Sequence, residues 1–167
     1  MGLDMLAIAD LFFTLAESIK DYPFIENLAP KLLPEQVNTM VVREAVGVCG
    51  VITAWNFPLL LLAWKIAPAL AAGNTVVVKA SELTPTSTYR VIELFNTLLP
   101  PGVLNLVSGT GVKVGDALVR HPKVNKISFT GSTRTGKQIQ TAAAETLKRV
   151  TLELGGKGAA IVMPDAN

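Results

Sequence analysis

The sequence contains one cysteine, Cys49, among its 167 residues. A single cysteine excludes a disulfide within the chain and provides no metal-binding cluster, so we predict no metal site. Because disulfides are rare in reducing compartments, the composition is compatible with a cytoplasmic protein, and we expect that location. We predict that Cys49 is a small buried strand residue, since no neighbouring histidine or basic residue would activate its thiol.

Charge is also scarce and shows no pattern. Charged residues make up 17% of the sequence, whereas about 25% is usual for a soluble domain. The 15 basic and 13 acidic residues are scattered and leave a net charge of +2, so no basic stripe predicts a nucleic-acid partner. The low charge favours a piece of a larger protein, which would bury more surface.

Long uninterrupted apolar runs are missing as well. The most apolar stretch, residues 57–73, is short for a bilayer span and contains Lys65 and Pro68, so we predict no membrane segment. The N-terminus contains Asp4 and Asp10 but no basic residue, which disfavours a secretory signal. The sequence therefore predicts a protein without a membrane partner.

What the sequence does contain is a regular alternation of strands and helices. We expect a helix, an extended connector and a strand over residues 3–20, 21–35 and 37–48. Further strands are predicted over residues 47–54, 75–79, 103–107, 125–130, 149–154 and 159–163. Helices are predicted between them over residues 58–72, 85–99, 112–120 and 132–147. This pattern indicates an α/β fold, a Rossmann-like parallel sheet flanked by helices with an extended N-terminal strand segment. Such sheets bind ligands beyond the carboxyl ends of their strands.

Individual residues mark the ends and faces of these helices. Gly73 is expected just past the end of one helix, and Thr84 is expected to cap the next, with Pro85 at its first position. On the last helix, the spacing predicts one buried face made of Ile139, Ala142, Ala143 and Leu147.

The stretch "FTGSTRTG", residues 129–136, is a candidate for binding phosphate. A strand ends there, Gly131 turns the chain, and Ser132 begins a helix whose free N–H groups favour an anion. Arg134 and Lys137 add positive charge nearby. The alternative is a simple capped turn with Ser132 as the N-cap.

Two further stretches suggest nucleotide binding more weakly. In "SGTGVKVG", residues 108–115, the third glycine comes one residue too late for the dinucleotide fingerprint. In "VVVKASE", Lys79 closes a strand and Glu82 lies in the next loop, a pair suited to ribose hydroxyls. The alternative for this pair is a solvated loop.

Candidate catalytic groups occur in two places. In "TAWNFPLLLLAWK", Asn56 either caps the following helix or donates its amide to an oxyanion. In "TLELGGKG", Glu153 lies in what is predicted to be a buried strand, where the lack of a partner usually raises the pKa of a carboxyl. Glu153 is therefore a candidate general base. The aromatic residues of the first stretch are expected in the core: Trp55, Phe57 and Trp64.

Four of these stretches, "AWNFPL", "KASELTP", "ISFTGST" and "LELGGK", occur in the order and approximate spacing of the aldehyde dehydrogenase superfamily. The chain resembles that superfamily from about residue 40 to its end, and more loosely through its first helix. The resemblance implies NAD as cofactor, a small aldehyde as substrate, and a parent protein that is a homodimer or homotetramer. Glu82 would accept hydrogen bonds from ribose hydroxyls and repel a 2′-phosphate, which favours NAD over NADP.

The resemblance also implies roles for individual residues. Asn56 would steady the aldehyde oxygen, Glu153 would activate water to release the acid, and Lys65 would lie near the site. The implied cofactor-binding residues, with the nicotinamide nearest the last two, are Ile52, Trp55, Lys79, Glu82, Gly111, Gly115, Gly131, Ser132, Leu154 and Gly155. The implied walls of the aldehyde tunnel are Phe57, Leu60, Leu61 and Trp64.

Enzymes of this superfamily attack the aldehyde with a cysteine that lies beyond the "ELGGK" segment. Cys49 lies on an early strand and cannot take that role, so we expect a fragment that ends before the nucleophile and has no dehydrogenase activity by itself. The expected parts are an N-terminal helix and connector (1–36), part of the oligomerisation strands (37–47) and an incomplete NAD-binding domain (48–167).

Two other functions stay open at this point. The chain could be a non-catalytic, truncated nucleotide-binding product. It could also belong to an acylating aldehyde dehydrogenase, which passes the acyl group to coenzyme A or phosphate. Such an enzyme would not need a water-activating base, so the presence of Glu153 argues against it.

Overall fold

The structure, a computed structural model, describes residues 2–32 and 36–166. Its helices are α1 (Gly2–Ser18), α2 (Pro58–Ala71), α3 (Pro85–Phe95), α4 (Asp116–Arg120) and α5 (Thr133–Ala144). A 3₁₀ turn covers Ile19–Asp21, and a π-helical turn covers Gly111–Gly115. The strands are β1 (Ile25–Leu32), β2 (Gln36–Val42), β3 (Val48–Ile52), β4 (Thr75–Lys79), β5 (Leu104–Val107), β6 (Lys126–Gly131) and β7 (Arg149–Leu154).

Strands β3 to β7 form one parallel sheet in the order β5-β4-β3-β6-β7. Valine-rich segments such as β4 favour it, because β-branched side chains suit a buried, pleated surface. The chain runs outward from β3 to β5 and then returns to pair β6 with the free side of β3. The strand order therefore reverses between β3 and β6, the point where such sheets bind ligands. The predicted Rossmann-like α/β fold is confirmed.

Helices cover both faces of this sheet and create two buried clusters. The first joins α2 and α3 to the sheet and consists of Cys49, Val51, Leu62, Ile66, Val76, Val78, Ile92 and Leu104. The second joins α4 and α5 to the other face and consists of Ile52, Leu118, Val119, Val124, Ile127, Phe129, Ile139 and Ala142. Val51 and Ile52 enter different clusters because successive strand side chains point to opposite faces. The buried position predicted for Cys49 is confirmed.

The N-terminal part of the chain lies outside the parallel sheet. Helix α1 packs against α2, and the ring centres of Phe12 and Phe95 are 5.1 Å apart. Strands β1 and β2 pair antiparallel in a separate two-stranded sheet. An ion pair of 2.9 Å joins Arg43, just after β2, to Glu26 in β1.

The predicted connector over residues 21–35 therefore contains a strand, which corrects the prediction. Its prolines suggested a loop, but proline is tolerated in edge strands and at bulges. The pairing of β1 with β2 shifts register between Leu28 and Lys31, around Pro30. Residues 33–35 of the connector lie outside the described residues. The strand predicted over 37–48 ends at Val42.

The residues that mark helix ends were predicted with mixed success. Gly73 follows α2 with a φ of 78°, which glycine adopts without steric cost, as predicted. Pro85 begins α3 as predicted, but the Thr84 hydroxyl makes no cap bond and donates to the Trp55 carbonyl at 3.4 Å. Helix α3 ends at Phe95, four residues earlier than expected.

Two predicted helices differ from the observed ones at an end. The helix predicted over 112–120 begins as the π-helical turn and becomes α-helical at Asp116. The helix predicted over 132–147 ends at Ala144. Leu147 lies beyond that end with a φ of 52° and is 90% exposed, so it is not part of the buried face. Ile139, Ala142 and Ala143 are buried there as predicted.

The strand predicted over residues 159–163 does not form. This segment pairs with no strand among the described residues, and Ile161 and Val162 are exposed. An apolar run becomes a strand only where a neighbouring strand satisfies its backbone groups. Among the described residues, no helix has the length and apolar character needed to cross a bilayer.

Candidate functional site

A cleft of about 560 Å³ opens between α4 and α5, over the ends of β3 and β6. Its apolar floor consists of Ile52, Val119, Phe129, Ile139 and Ala142. Its rim consists of Gly111, Val112, Gly115, Asp116, Arg120, Arg134, Thr135 and Gln138. The volume falls in the range of small-molecule sites. Three of the predicted cofactor residues line this cleft, namely Ile52, Gly111 and Gly115.

Sequence reasoning did not assign most of these lining residues to a site. The floor residues follow strand and helix periodicity and are therefore indistinguishable from core residues in sequence. Val112 lies in the stretch "SGTGVKVG", which matches the dinucleotide fingerprint only imperfectly. Its 87% exposure marks it as a rim residue. From the sequence, Arg134 is expected only to add positive charge near Ser132.

Lys79 and Glu82 form a direct ion pair at the end of β4. Lys79 Nζ donates to Glu82 Oε2 at 2.7 Å, with the lysine side chain 3% exposed and the glutamate side chain 50% exposed. The lysine is therefore buried, which the solvated alternative did not anticipate. This hydrogen bond holds the pKa of Glu82 below its usual value, and the backbone N–H groups of Glu82 and Gly111 lower it further. The carboxylate thus lies beside the π-helical turn at the rim of the cleft.

The junction between β6 and α5 is built by two residues. Ser132 Oγ accepts a hydrogen bond from the Thr135 backbone N–H at 3.2 Å, which confirms Ser132 as the N-cap. A Cβ atom on Gly131 would lie 2.4 Å from Cζ of Phe129. The missing side chain therefore lets the Phe129 ring lie against the turn, where it forms part of the cleft floor.

The stretch around Asn56 points into solvent. Asn56 is exposed, and Phe57, not Asn56, occupies the N-cap position of α2, without a side-chain cap bond. The simple capping role is therefore wrong. Trp55, Phe57 and Trp64 are 60%, 50% and 55% exposed, which corrects their expected place in the core. Of the other two predicted tunnel residues, Leu60 is partly buried and Leu61 is buried.

Glu153 is exposed on β7, at the edge of the sheet, so the expected buried acid is wrong for this chain. The buried charged group of this region is Lys65 of α2, which is 8% exposed. Burial lowers the pKa of Lys65, whereas the neighbouring Glu153 carboxylate opposes the shift and Lys126 adds to it. Glu153 thus lies close enough to Lys65 to affect its charge, although no ion pair joins the two within residues 2–32 and 36–166. Leu154 ends β7, and Gly155 follows it in an exposed loop.

Two further side chains, Cys49 and His121, do not line the cleft. Burial raises the pKa of the Cys49 thiol, an effect that Lys126 partly offsets, so the reactive thiolate is disfavoured. His121 follows α4, and its Nδ1 accepts from the Lys123 backbone N–H at 3.2 Å.

Known proteins resemble this chain over nearly its full length. The 3-succinoylsemialdehyde-pyridine dehydrogenase of a Pseudomonas species is 52% identical over 170 residues, covering 100% of this chain and 34% of that protein. Retinaldehyde dehydrogenase 3 of Rattus norvegicus is 48% identical over 164 residues, covering 93% of this chain and 32% of that protein. The chain thus spans about a third of the length of these curated relatives.

Solved structures agree with this result. A betaine aldehyde dehydrogenase of Staphylococcus aureus in complex with NAD+ superposes with a TM-score of 0.86 at 42% identity, over 92% of this chain and 30% of that one. An aldehyde dehydrogenase of Bartonella henselae gives a TM-score of 0.82 at 43% identity, over 96% and 33% of the two chains. The family profile described as the aldehyde dehydrogenase family matches residues 2–167. The chain therefore belongs to the aldehyde dehydrogenase family.

Proposed function

We propose that this chain provides the cofactor-binding part of an NAD-dependent enzyme that oxidises an aldehyde to a carboxylic acid through a cysteine thioester. The observation that carries the proposal is the clustering of three features at the ends of β4, β3 and β6. These features are the Lys79–Glu82 pair, the cleft between α4 and α5, and the start of α5 at Ser132. The edge of a parallel sheet where the strand order reverses suits a dinucleotide.

Each of these features fits one part of NAD. The apolar cleft, with Ile52, Gly111 and Gly115, would hold the adenosine, and the half-exposed Glu82 carboxylate would accept hydrogen bonds from ribose hydroxyls. The start of α5 at Gly131 and Ser132, together with Trp55, would hold the pyrophosphate. NAD, when bound, supplies the acceptor for the hydride that leaves the substrate. The relative from Staphylococcus aureus that was solved with NAD+ supports this choice of cofactor.

The exposed residues at the start of α2 and the end of β7 would act on the substrate. The Asn56 amide would donate a hydrogen bond to the aldehyde oxygen as negative charge develops there. Glu153 would take a proton from the water that releases the acid, with Leu154 and Gly155 beside the nicotinamide. The residues placed along the path of the aldehyde are Phe57, Leu60, Leu61 and Trp64.

This mechanism needs a thiolate nucleophile, a role that Cys49 does not fit. Cys49, the sole cysteine of the sequence, is 3% exposed and its burial disfavours the thiolate. We therefore expect the chain to bind the cofactor without oxidising aldehydes by itself. Formation of NADH from NAD and an aldehyde by the purified chain would contradict this expectation.

The remaining parts of the chain are assigned by the same proposal. Residues 48–167 form the NAD-binding portion, residues 37–47 belong to oligomerisation strands, and residues 1–36 form the N-terminal helix and connector. The exposed apolar side chains of the β1–β2 sheet, such as Ile25, Met40 and Val42, support a contact with another copy of the chain in a homodimer or homotetramer.

Cofactor binding is tested by titrating the chain with NAD and NADP in a calorimeter. We expect tighter binding of NAD, because the Glu82 carboxylate repels a 2′-phosphate. Glu82→Ser should reduce the preference at least about fivefold, which corresponds to about 1 kcal/mol. Glu93→Ser is the matched control, since Glu93 is an exposed glutamate of α3 that is paired with Arg90. An unchanged preference in Glu82→Ser would remove Glu82 from the proposed site.

A further inference from the structure

Two arginines line the cleft between α4 and α5, and they differ in their partners. Arg120 Nε donates to both carboxylate oxygens of Asp116 at 3.1 Å, and its Nη1 donates to Glu145 Oε1 at 3.2 Å. Its guanidinium is thus held between α4 and the end of α5. Arg134 lies on the rim of the same cleft, and within residues 2–32 and 36–166 it forms no ion pair. Of the two, Arg134 has the guanidinium that is available to a ligand.

The position of Arg134 does not serve the stability of α5. It is the second residue of a twelve-residue helix, near the end where the helix dipole disfavours a positive side chain. The first turn contains no acidic residue that would offset this charge. Ser132 already satisfies a backbone donor of that turn. A positive charge that opposes the helix and faces a cleft is better explained by what the cleft binds.

The shape of the cleft indicates which part of a ligand Arg134 would meet. Its floor is apolar and includes the ring of Phe129 and the side chains of Val119 and Ile139, which suits a flat heterocycle. A guanidinium is planar, weakly hydrated and stacks on aromatic faces. We propose that Arg134 folds over the adenine ring in this cleft and holds it against the apolar floor. This inference rests on the proposed function, because it takes the cleft as the adenosine site.

The test is to measure how tightly the 167-residue chain binds adenosine and AMP, using the variants Arg134→Gln and Arg134→Lys. Glutamine keeps a similar helix propensity but removes the guanidinium, and lysine keeps the charge but lacks the planar group. We expect both variants to weaken adenosine and AMP alike by about fivefold, the size of an exposed cation–π contact. The control is Lys123→Gln, which removes an exposed positive charge that does not line the cleft and should change binding by less than about 1.5-fold.

A second measurement separates ligand contact from a structural role. Arg134→Gln should leave the melting temperature of the free chain unchanged or slightly raised, because it removes a charge that opposes the helix dipole. Weaker binding together with a clearly lower melting temperature would indicate a structural role and overturn the inference. Wild-type affinity in Arg134→Lys would show that the planar guanidinium is not needed, and a loss confined to AMP would indicate attraction to phosphate. Either result would overturn the inference as well.

The inference and the proposed function fail in different ways. If the wild-type chain binds adenosine and AMP but Arg134→Gln binds them equally well, only the role of Arg134 is wrong. If the wild-type chain binds neither probe at millimolar concentration, the cleft is not an adenosine site and both proposals fall.

Discussion

The proposed cofactor side and the proposed catalytic side of the candidate site differ in how fully this chain builds them. On the cofactor side, Lys79 is buried against Glu82, Ser132 caps α5, and two helices enclose a cleft. On the catalytic side, Asn56 and Glu153 are exposed, together with the aromatic residues of the same region. One side is packed within the chain, and the other presents its side chains to solvent.

The difference follows from the structural elements that carry each side. The cofactor side uses the ends of adjacent strands, so the sheet that forms the fold also completes the site. The catalytic side uses the start of α2 and the end of the edge strand β7, whose outer surfaces have no neighbour among the described residues. Substitutions on the first side should therefore lower the free energy of unfolding, and substitutions on the second side should change it little.

The largest expected difference compares two phenylalanines. Phe129→Ala should lower the free energy of unfolding by about 3–5 kcal/mol, because Phe129 is 6% exposed and its loss leaves a cavity under the cleft. Phe57→Ala should change it by less than about 0.5 kcal/mol, because Phe57 is 50% exposed. Urea unfolding of both variants measures the difference. Equal losses would show that the catalytic side is also packed.

The second prediction concerns the one buried charge of the catalytic side. Lys65→Met should stabilise the chain by about 1 kcal/mol, because methionine has a similar shape and removes a desolvated ammonium group. The gain should be measurable by urea unfolding at neutral pH, where lysine is charged in the unfolded chain. A loss of stability would mean that the attraction to Glu153 outweighs the cost of burial.

The third prediction tests the cap of α5. Ser132→Ala should lower the free energy of unfolding by about 1 kcal/mol, since the Thr135 N–H loses its acceptor. Thr133→Ala is the neighbouring control, because Thr133 is an exposed residue of the same turn. Thermal unfolding followed by circular dichroism compares the two. A similar small effect in both would mean that the cap contributes little.

The smallest expected effect is a dependence on pH. Because the folded pKa of Glu82 is depressed below 4.5, its contribution is fully present above the unfolded pKa and is lost as the pH falls through the folded pKa. Glu82 is half-exposed, so the contribution should stay below about 1 kcal/mol. In Glu82→Gln, the free energy of unfolding should therefore fall less than in wild type as the pH drops from about 6 to about 3. An equal fall in both proteins would contradict this.

Much of the fold follows from local patterns. β4 and β7 have the predicted bounds, and Gly73 and Ser132 lie at the predicted helix ends. The misses occur where a partner decides the outcome. Residues 159–163 have strand composition but no pairing partner among the described residues, and Leu147 keeps the helical spacing after the helix has ended.

The candidate site could likewise be predicted only in part from the sequence. The order of the four motifs pointed to the family and to Lys79, Glu82 and Ser132 as neighbours of a nucleotide. The cleft floor and Arg134 were not recognised as site residues, because an apolar side chain that faces a cleft has the same sequence periodicity as one that faces the core.

The sequence alone determined the alternation of strands and helices and the motifs that identify the family. It did so because side-chain periodicity, caps and glycine turns are local properties. Only the tertiary structure decided that Lys65, and not Glu153, is the buried charge, and that Lys79 is buried against Glu82. Burial depends on which distant elements pack around a side chain, and that arrangement exists only once the sheet and its helices have assembled.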